Sequence, residues 1–301
     1  MLEYRRATDR PERLDAFLAS AVEGLSRRRA QRFIEQRTVT VNGRSARKGQ
    51  QLRDRDTVEL WQDPTDPGWN AAPSPDLPLR VVHEDPHLIA VDKPPGIPTV
   101  PLAADEHDTL AGALVARYPE CAPLGRHPGD AGLIQRLDRG TSGLALAART
   151  APAFEALLDL QENDDIEKVY LALVRASPEA LPAAVDAPLG PAGRRGRTVR
   201  HDPDGRPAHT ALEPRDAIGD LLLVQATIHR GFRHQIRAHL AHVGLPIAGD
   251  SSYGGPELEG LPRIFLHAEQ VRLPHPLTGE PLELRAPLPG DLLPIVRPPT
   301  G

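Results

Sequence analysis

An arginine, an aspartate two residues later and a Thr-Ser-Gly triplet interrupt apolar sequence in LIQRLDRGTSGLALA (133–147). A carboxylate so placed can act as a nucleophile or as a base, and an arginine near it can hold a charge or an anion. Apolar runs bounded by turn residues predict buried strands, with Arg136 and Asp138 where sheet gives way to loop. Binding and catalytic residues gather in such places, because the sheet fixes them while the loop exposes them. An Asx or Thr-Ser turn closing a hairpin accounts for the same residues without any chemistry. A second polar cluster, RGFRHQIRAHLAH (230–242), brings His234, His239 and His242 near His229. Their spacing fits no zinc signature, no cysteine completes a ligand set, and His234 reads as a packing or hydrogen-bonding residue.

The elements around these residues follow from periodicity. ERLDAFLASAV (12–22) has Leu14, Phe17, Leu18 and Ala21 at helical spacing, and Ser26 is placed to cap a second helix, RRRAQRFIEQR. Ala30, Phe33 and Ile34 form its apolar stripe, while Arg28 and Arg32 fall one turn apart on another face, with Arg27 beside them. TVTVNGRSA predicts a strand and an Asn42-Gly43 turn, and DTVELW a closing strand. Like charges at i, i+4 repel, so such a face suits a polyanion; a merely solvated arginine face is the alternative. Residues 62–78, QDPTDPGWNAAPSPDLP, read as a linker. Beyond them come a strand at Leu88–Val91 ended by KPPG, and a helix in TLAGALVARY capped by Asp108 or Thr109. Another helix lies in PAFEALLDLQEN, followed by a strand over 167–174 with Tyr170, Ala172 and Val174 on one face. After an irregular span at 188–207, DLLLVQATIH is a strand, FRHQIRAHLAHVG a helix ending at Gly244, and IFLHAEQVRL a late strand. Without regular βαβ alternation, the expected class is α+β.

Composition narrows the function. Aromatics make up 4% of the 301 residues, so exposed rings are not expected to dominate any nucleic-acid contact. Lysine occurs only at 48, 93 and 168 among 36 basic residues, a bias consistent with a GC-rich coding genome and therefore weak evidence for RNA binding. Cys121 stands alone, which excludes a disulfide framework and a cysteine metal cluster. The first residues lack the apolar centre of a signal peptide, and no apolar run reaches membrane-spanning length, so a soluble cytoplasmic protein is expected. Residues 1–61 carry 14 basic against 9 acidic residues, whereas the remainder carries 22 against 32. A small basic module precedes a larger acidic body.

The two helices and hairpin of that module resemble the RNA-binding alpha-L motif first described in a ribosomal protein. In the body, VDKPPG (91–96), RLDRGTSG (136–143), KVYLALV (168–174), HQIRAHLAHVGLPIAGDSSYG (234–254) and FLHA (265–268) occur in an order that resembles the RluA-type RNA pseudouridine synthases. The resemblance implies a catalytic domain over 79–301, with a mixed, largely antiparallel sheet flanked by helices, behind a small N-terminal α/β RNA-binding module at 1–61. It implies an isomerase that breaks the bond between a uracil nitrogen and ribose, turns the base and rejoins it through carbon five. Nothing is oxidised or hydrolysed in that reaction, so neither cofactor nor metal is expected. The partner would be structured RNA, ribosomal or transfer, with no membrane, and the chain is expected to be a monomer. By the same resemblance, Asp138 is nucleophile or base, Arg237 its cationic partner, and Tyr170 a stacking and proton-handling group. Arg136 would enter the RNA helix in place of the flipped nucleotide, Leu266 would line the pocket, and Arg139 and Arg233 would join Arg27, Arg28 and Arg32 in holding RNA.

Several positions depart from that family pattern. Gln135 replaces a histidine and Gly140 an aspartate, while TGRTHQIR is here RGFRHQIR, with Phe232 for an arginine and Arg230 and Arg233 where threonine or serine is common. Arg233 and Arg237 are expected one turn apart on the helix, a pair that repels unless an anion, Asp138 or an RNA phosphate, sits between them. These changes bear on which RNA is bound. A non-catalytic RNA-binding or assembly factor on a synthase scaffold, and a nucleoside hydrolase using Asp138 alone, are the competing readings.

Overall fold

The computed structural model describes residues 2–5, 12–22, 25–35, 37–61, 70–103, 106–127, 129–192 and 198–297, without the side chains of Leu2, Glu3, Arg5, Arg28 and Arg32. The chain divides into two compact units, Met1–Trp69 and Asn70–Gly301.

In the first unit the helices Leu14–Ala21 and Arg27–Glu35 pack beside a small antiparallel sheet ordered Leu2–Arg5, Thr57–Leu60, Val39–Val41, Arg44–Ser45. The Ser26 hydroxyl accepts the Arg29 N–H at 3.3 Å, as a cap should. Asn42 and Gly43 both have positive φ (50° and 72°), the backbone that a tight hairpin between twisted strands requires. Leu14, Leu18, Phe33, Val39, Leu52 and Val58 are buried together.

Asp15 is buried on the first helix and gathers three polar partners. Arg13 grips both its oxygens at 2.9 and 3.1 Å, Arg27 donates Nε at 3.1 Å, and the Gln31 amide donates as well. The Arg13 hydrogen bonds, helped by Gln31 and Arg27, hold the Asp15 carboxyl far below its usual range against the cost of burial. A depressed folded-state pKa adds stability above the unfolded value of about 3.9 and loses it as pH falls below that value. Amide exchange of Leu14–Ala21 is therefore expected to accelerate between about pH 4 and pH 2 in the wild-type chain. Asp15→Asn should flatten that response; an acid response that persists unchanged would assign it to other carboxylates.

The second unit is built on a long sheet. Among the described residues its order is Ala184–Asp186, His209–Ile218, Leu221–Ile228, Glu167–Arg175, Leu266–Pro274, Ser142–Ala148, Leu88–Lys93 and Arg80–Glu84, with Pro281–Arg285 also paired to Leu266–Pro274. The described pairings are antiparallel except the one between Leu266–Pro274 and Ser142–Ala148. The mixed, largely antiparallel sheet with flanking helices is thus present. At the parallel junction Gly143 has φ +110°, and a Cβ there would lie 2.2 Å from the Ala268 carbonyl oxygen, so only glycine allows the strands to meet.

Strand alternation decides what covers each face. Ile89, Val91, Ala145 and Ala147 join Leu110 and Leu114 in one cluster, whereas Leu88, Ala90, Leu144 and Leu146 join Phe154 and Leu157 in another. The helix Leu110–Arg117 lies on the first face and Ala151–Glu162 on the second. Thr109 and Thr150 cap them, each hydroxyl accepting the N–H three residues on. Strands buried on both faces read as continuous apolar runs, as LIAV and LALAA do.

Four local expectations change. Leu133 and Ile134 make one isolated bridge, to Ala147, and no strand. The chain arrives through left-handed Ala131 and Gly132, and the Leu137 backbone turns instead to the Thr99 hydroxyl. The span 188–207 holds an ordered ribbon, Leu189–Ala192 paired with Thr198–His201, whose tip lies outside the described residues. The helix at 232–244 begins only at Gln235, because His234 is left-handed (φ 57°) and Gln235 closes a turn onto Phe232 through both its amide and its side chain. Arg233 is consequently off the helix and shares no face with Arg237. Of the compositional linker, 62–69 lies outside the described residues, and within 70–78 Ala71 and Ser74 are buried, Ser74 against the helix at Gly112.

Candidate active site

Asp138 sits in a turn that four separate groups clasp. Thr141 donates its N–H to the Asp138 carbonyl at 3.0 Å. Gly96 N–H reaches the Arg139 carbonyl at 2.8 Å, and Arg139 Nε returns to the Gly96 carbonyl at 2.7 Å. Lys93 is wholly buried and directs its ammonium at the carbonyls of Pro94, Ile97 and Arg139. Burial, reinforced by Arg263, pushes the Lys93 ammonium down to about 7, although Asp138 opposes the shift. Arg263 donates to the Gly140 carbonyl and the Ser142 hydroxyl while anchored to Asp291. KPPG therefore does more than end a strand: it is the wall against which the Asp138 turn is set. Gly140 has a local reason as well, since a side chain there would press on Ile264 at 3.0 Å.

Facing Asp138 is the helix Gln235–His242, whose first turn presents Arg237. Its Nη1 donates to Asp138 Oδ2 at 2.7 Å, while Nε and Nη2 grip the two oxygens of Asp250 at 2.7 and 2.8 Å. Asp250 is buried, and the guanidinium lies 5.0 Å from the centre of the Tyr253 ring. Burial works against the Arg237 charge, but the hydrogen bonds it donates to Asp250 and Asp138 outweigh it and raise its pKa above the ordinary value. Bidentate seating on Asp250 leaves one edge of the fork to fix Asp138, so the carboxylate is oriented as well as neutralised.

Tyr170 is buried on the strand Glu167–Arg175, in one cluster with Leu137 and Leu266. Burial raises its pKa, and the charge on Asp138 raises it further, so the phenol keeps its proton at neutral pH. Arg136 is exposed and lines a cavity of about 180 Å3 with Ile134, Gln135 and Phe154. Gln135 donates to the Leu144 carbonyl at 3.1 Å, and among the described residues its buried Oε1 has no partner.

The fold thus brings Asp138, Arg237, Tyr170 and Leu266 to one place, with Arg139 bound to Gly96 beside the turn, whereas Arg136 faces a separate cavity beside Gln135 and Phe154. Arg233 is exposed just before the helix. Arg230 is turned away to Asp164 and the Glu162 carbonyl. Arg27 is tied along one edge to Asp15, and Arg28 and Arg32 carry side chains outside the described residues. Among the described residues no group of three or more His, Cys, Asp or Glu is arranged to hold a metal ion, and no helix is long and apolar enough to cross a membrane. Sequence reasoning gave no part to Asp250, Tyr253, Lys93 or Arg263. The first two lay in GDSSYG, where a carboxylate and an aromatic in a glycine-bounded turn were the available signal.

A mixed sheet holds one aspartate against a helix-borne arginine, with a buried tyrosine alongside, and the family match assigns this chain to the class of RNA-modifying isomerases. The chain belongs to the RNA pseudouridylate synthase family, which matches residues 87–242, and residues 12–58 match the S4 domain. A relative from Chloroflexus aurantiacus described as an uncharacterized RNA pseudouridine synthase is 40% identical, covering 96% of this chain and 90% of the relative. The ribosomal large subunit pseudouridine synthase D of Xanthomonas campestris is 36% identical over 93% of this chain and 86% of its own. Among solved structures, human RNA pseudouridylate synthase domain containing 1 has a TM-score of 0.56 and 25% identity, covering 74% of this chain and 88% of that one. Human RNA pseudouridylate synthase domain containing 4 has a TM-score of 0.57 at 22% identity, over 72% and 93%, and shows the shared fold. The chain is accordingly an RNA pseudouridine synthase, an isomerase, and it binds RNA.

Proposed function

We propose that this enzyme isomerises uridine in ribosomal RNA of the large subunit, with Asp138 as the group that acts on the ribose. The placement of Asp138 on a clasped turn, 2.7 Å from an arginine already seated on Asp250, carries this reading. Such a carboxylate is held and aimed, whether it adds to the sugar as a nucleophile or takes a proton from it as a base. Arg237 holds it, the phenol of Tyr170 and the side chain of Leu266 flank the base, and Arg136 occupies the gap left by the flipped nucleotide. Support for the substrate comes from relatives named for the large subunit, which align over most of both chains. Acting on ribosomal RNA places the enzyme in the cytoplasm. Mass-neutral conversion of uridine, mapped chemically in ribosomal and transfer RNA of a deletion strain, tests the proposal. Loss of modification confined to transfer RNA would reassign the substrate, and no loss anywhere would favour a non-catalytic assembly factor.

Residues 1–61 supply a separate grip on RNA in this reading, and 79–301 the chemistry. Deleting 1–61 is expected to weaken RNA binding and to flatten the dependence of log K on log salt by roughly 0.7–0.9 for each phosphate that is no longer neutralised. Turnover of a saturating short stem-loop should persist. A salt slope equal to that of the full chain would show that the arginines are only a solvated face.

A further inference from the structure

Carboxylates hold Arg237 only by its edges. The N–H groups of a guanidinium lie in one plane, so Asp250 and Asp138 meet it from the rim. Seated on Asp250, the fork is still free to tilt, and a tilt carries Nη1 away from Asp138. The Tyr253 ring covers one face and limits that motion, its centre lying 5.0 Å from the guanidinium carbon. Carboxylate and ring come from the same short turn, in which the Asp250 carbonyl accepts the Tyr253 N–H at 3.1 Å and the Gly255 N–H at 2.9 Å. The His234 ring stands nearly upright to the Tyr253 ring, at 74° with the centres 5.8 Å apart.

The far end of Tyr253 holds the ribbon Leu189–Ala192 and Thr198–His201. The N–H and C=O of a strand residue point to the same side. At Val199 both meet the Tyr253 hydroxyl: the N–H donates to its oxygen at 2.9 Å, and the carbonyl accepts its proton at 3.0 Å. Opposite Val199 in the ribbon stands Pro191, which has no N–H to offer that carbonyl. A hydroxyl both donates and accepts, so one side chain does for Val199 what a neighbouring strand would do. The ribbon also leans on the helix that carries Arg237, where the His201 and His242 rings lie 4.7 Å apart. Arg200, next to Val199, is exposed and suited to an RNA phosphate.

We propose that Tyr253 is a positioning residue with two separable duties. Its ring keeps the Arg237 guanidinium in the plane from which Nη1 reaches Asp138, and its hydroxyl ties the ribbon to that same ring. One side chain therefore sets both the aspartate–arginine pair and the element beside it. A ring without the hydroxyl would still cover Arg237 but would release Val199, and an aliphatic side chain would do neither. The assignment rests on the pseudouridine synthase reading and adds a residue that acts through Arg237.

Tyr253→Phe and Tyr253→Leu separate the two duties. The measurements are the single-turnover rate at saturating concentration of one defined RNA, the Kd for that RNA, and amide exchange of Val199 in the free protein. The rate should fall about 30-fold in Tyr253→Leu but only about fivefold in Tyr253→Phe, because a misplaced catalytic group costs up to about 100-fold and the remaining ring restores the cover. Affinity should weaken about fivefold in both, the size of one lost hydrogen bond, and the Val199 amide should exchange faster in both. Equal rates in the two variants, or a rate in Tyr253→Leu within about threefold of wild type, would overturn the role of the ring. A Val199 amide as well protected in Tyr253→Phe as in wild type would count equally against the proposal, even if Tyr253→Leu failed to fold. A wild-type enzyme that converts no uridine would instead sink the functional reading on which this rests, while exchange at Val199 would still report on the hydroxyl.

Discussion

Asp138→Asn is expected to lower single-turnover conversion by roughly four orders of magnitude or more while RNA affinity stays within a few-fold. Asparagine keeps the shape of the side chain but can neither add to the sugar nor take a proton from it, and loss of a group that acts in every turnover has effects of this size. The variant should fold, because Arg237 remains seated on Asp250 and the turn is held by Lys93, Thr141 and Arg263 through backbone groups and the Ser142 hydroxyl. Affinity should survive because contacts to the RNA backbone dominate binding and lie outside the turn. Residual turnover above about a tenth of wild type would remove Asp138 from the centre of the reaction.

The second large effect is expected on stability. Arg237→Met removes the cation that three hydrogen bonds tie to Asp138 and Asp250, and Asp250, with a side chain 2% exposed, would face an apolar neighbour. Breaking a buried pair from one side costs about 3–5 kcal/mol, because the remaining charge has neither water nor partner. For a domain of this size that corresponds to roughly a 10 °C fall in Tm. Activity should vanish with it, since nothing would aim Asp138. Arg237→Lys should lie between the two, because one ammonium cannot span two carboxylates as a planar fork does. Urea unfolding of the three proteins, monitored in the second unit, checks the order. A cost below about 1 kcal/mol for Arg237→Met would mean that Asp250 finds another donor.

Much of this protein was legible before any coordinates. Alternating or continuous apolar runs located the strands at 88–93, 142–148 and 167–175, because burial of one or both sheet faces writes a period into the chain. Capping and turn chemistry placed Ser26, Asn42-Gly43 and Gly244, and narrowed one cap to Asp108 or Thr109, since those residues act on their immediate neighbours. The motif order pointed to Asp138, Tyr170, Arg237 and Leu266, which the fold does collect. Elements whose shape depends on distant partners were misread. Leu133–Ile134 has the composition of a strand, but Thr99 captures the next backbone groups, and the helix after Phe232 starts late because Gln235 folds back.

Only the tertiary structure decided how the charges are shared. The sequence by itself determined that one aspartate and one arginine would matter, but not that a second aspartate, 13 residues beyond Arg237, takes two of its hydrogen bonds. It could not show that Lys93, 45 residues before Asp138, is buried to hold the carbonyl next door, nor that the Tyr253 hydroxyl meets both backbone groups of Val199 and the ring of His234. Periodicity and caps are local and survive in a linear reading. Hydrogen-bond accounting in a buried site is global, because each donor's state is set by whichever partners the fold brings within about 3 Å of it.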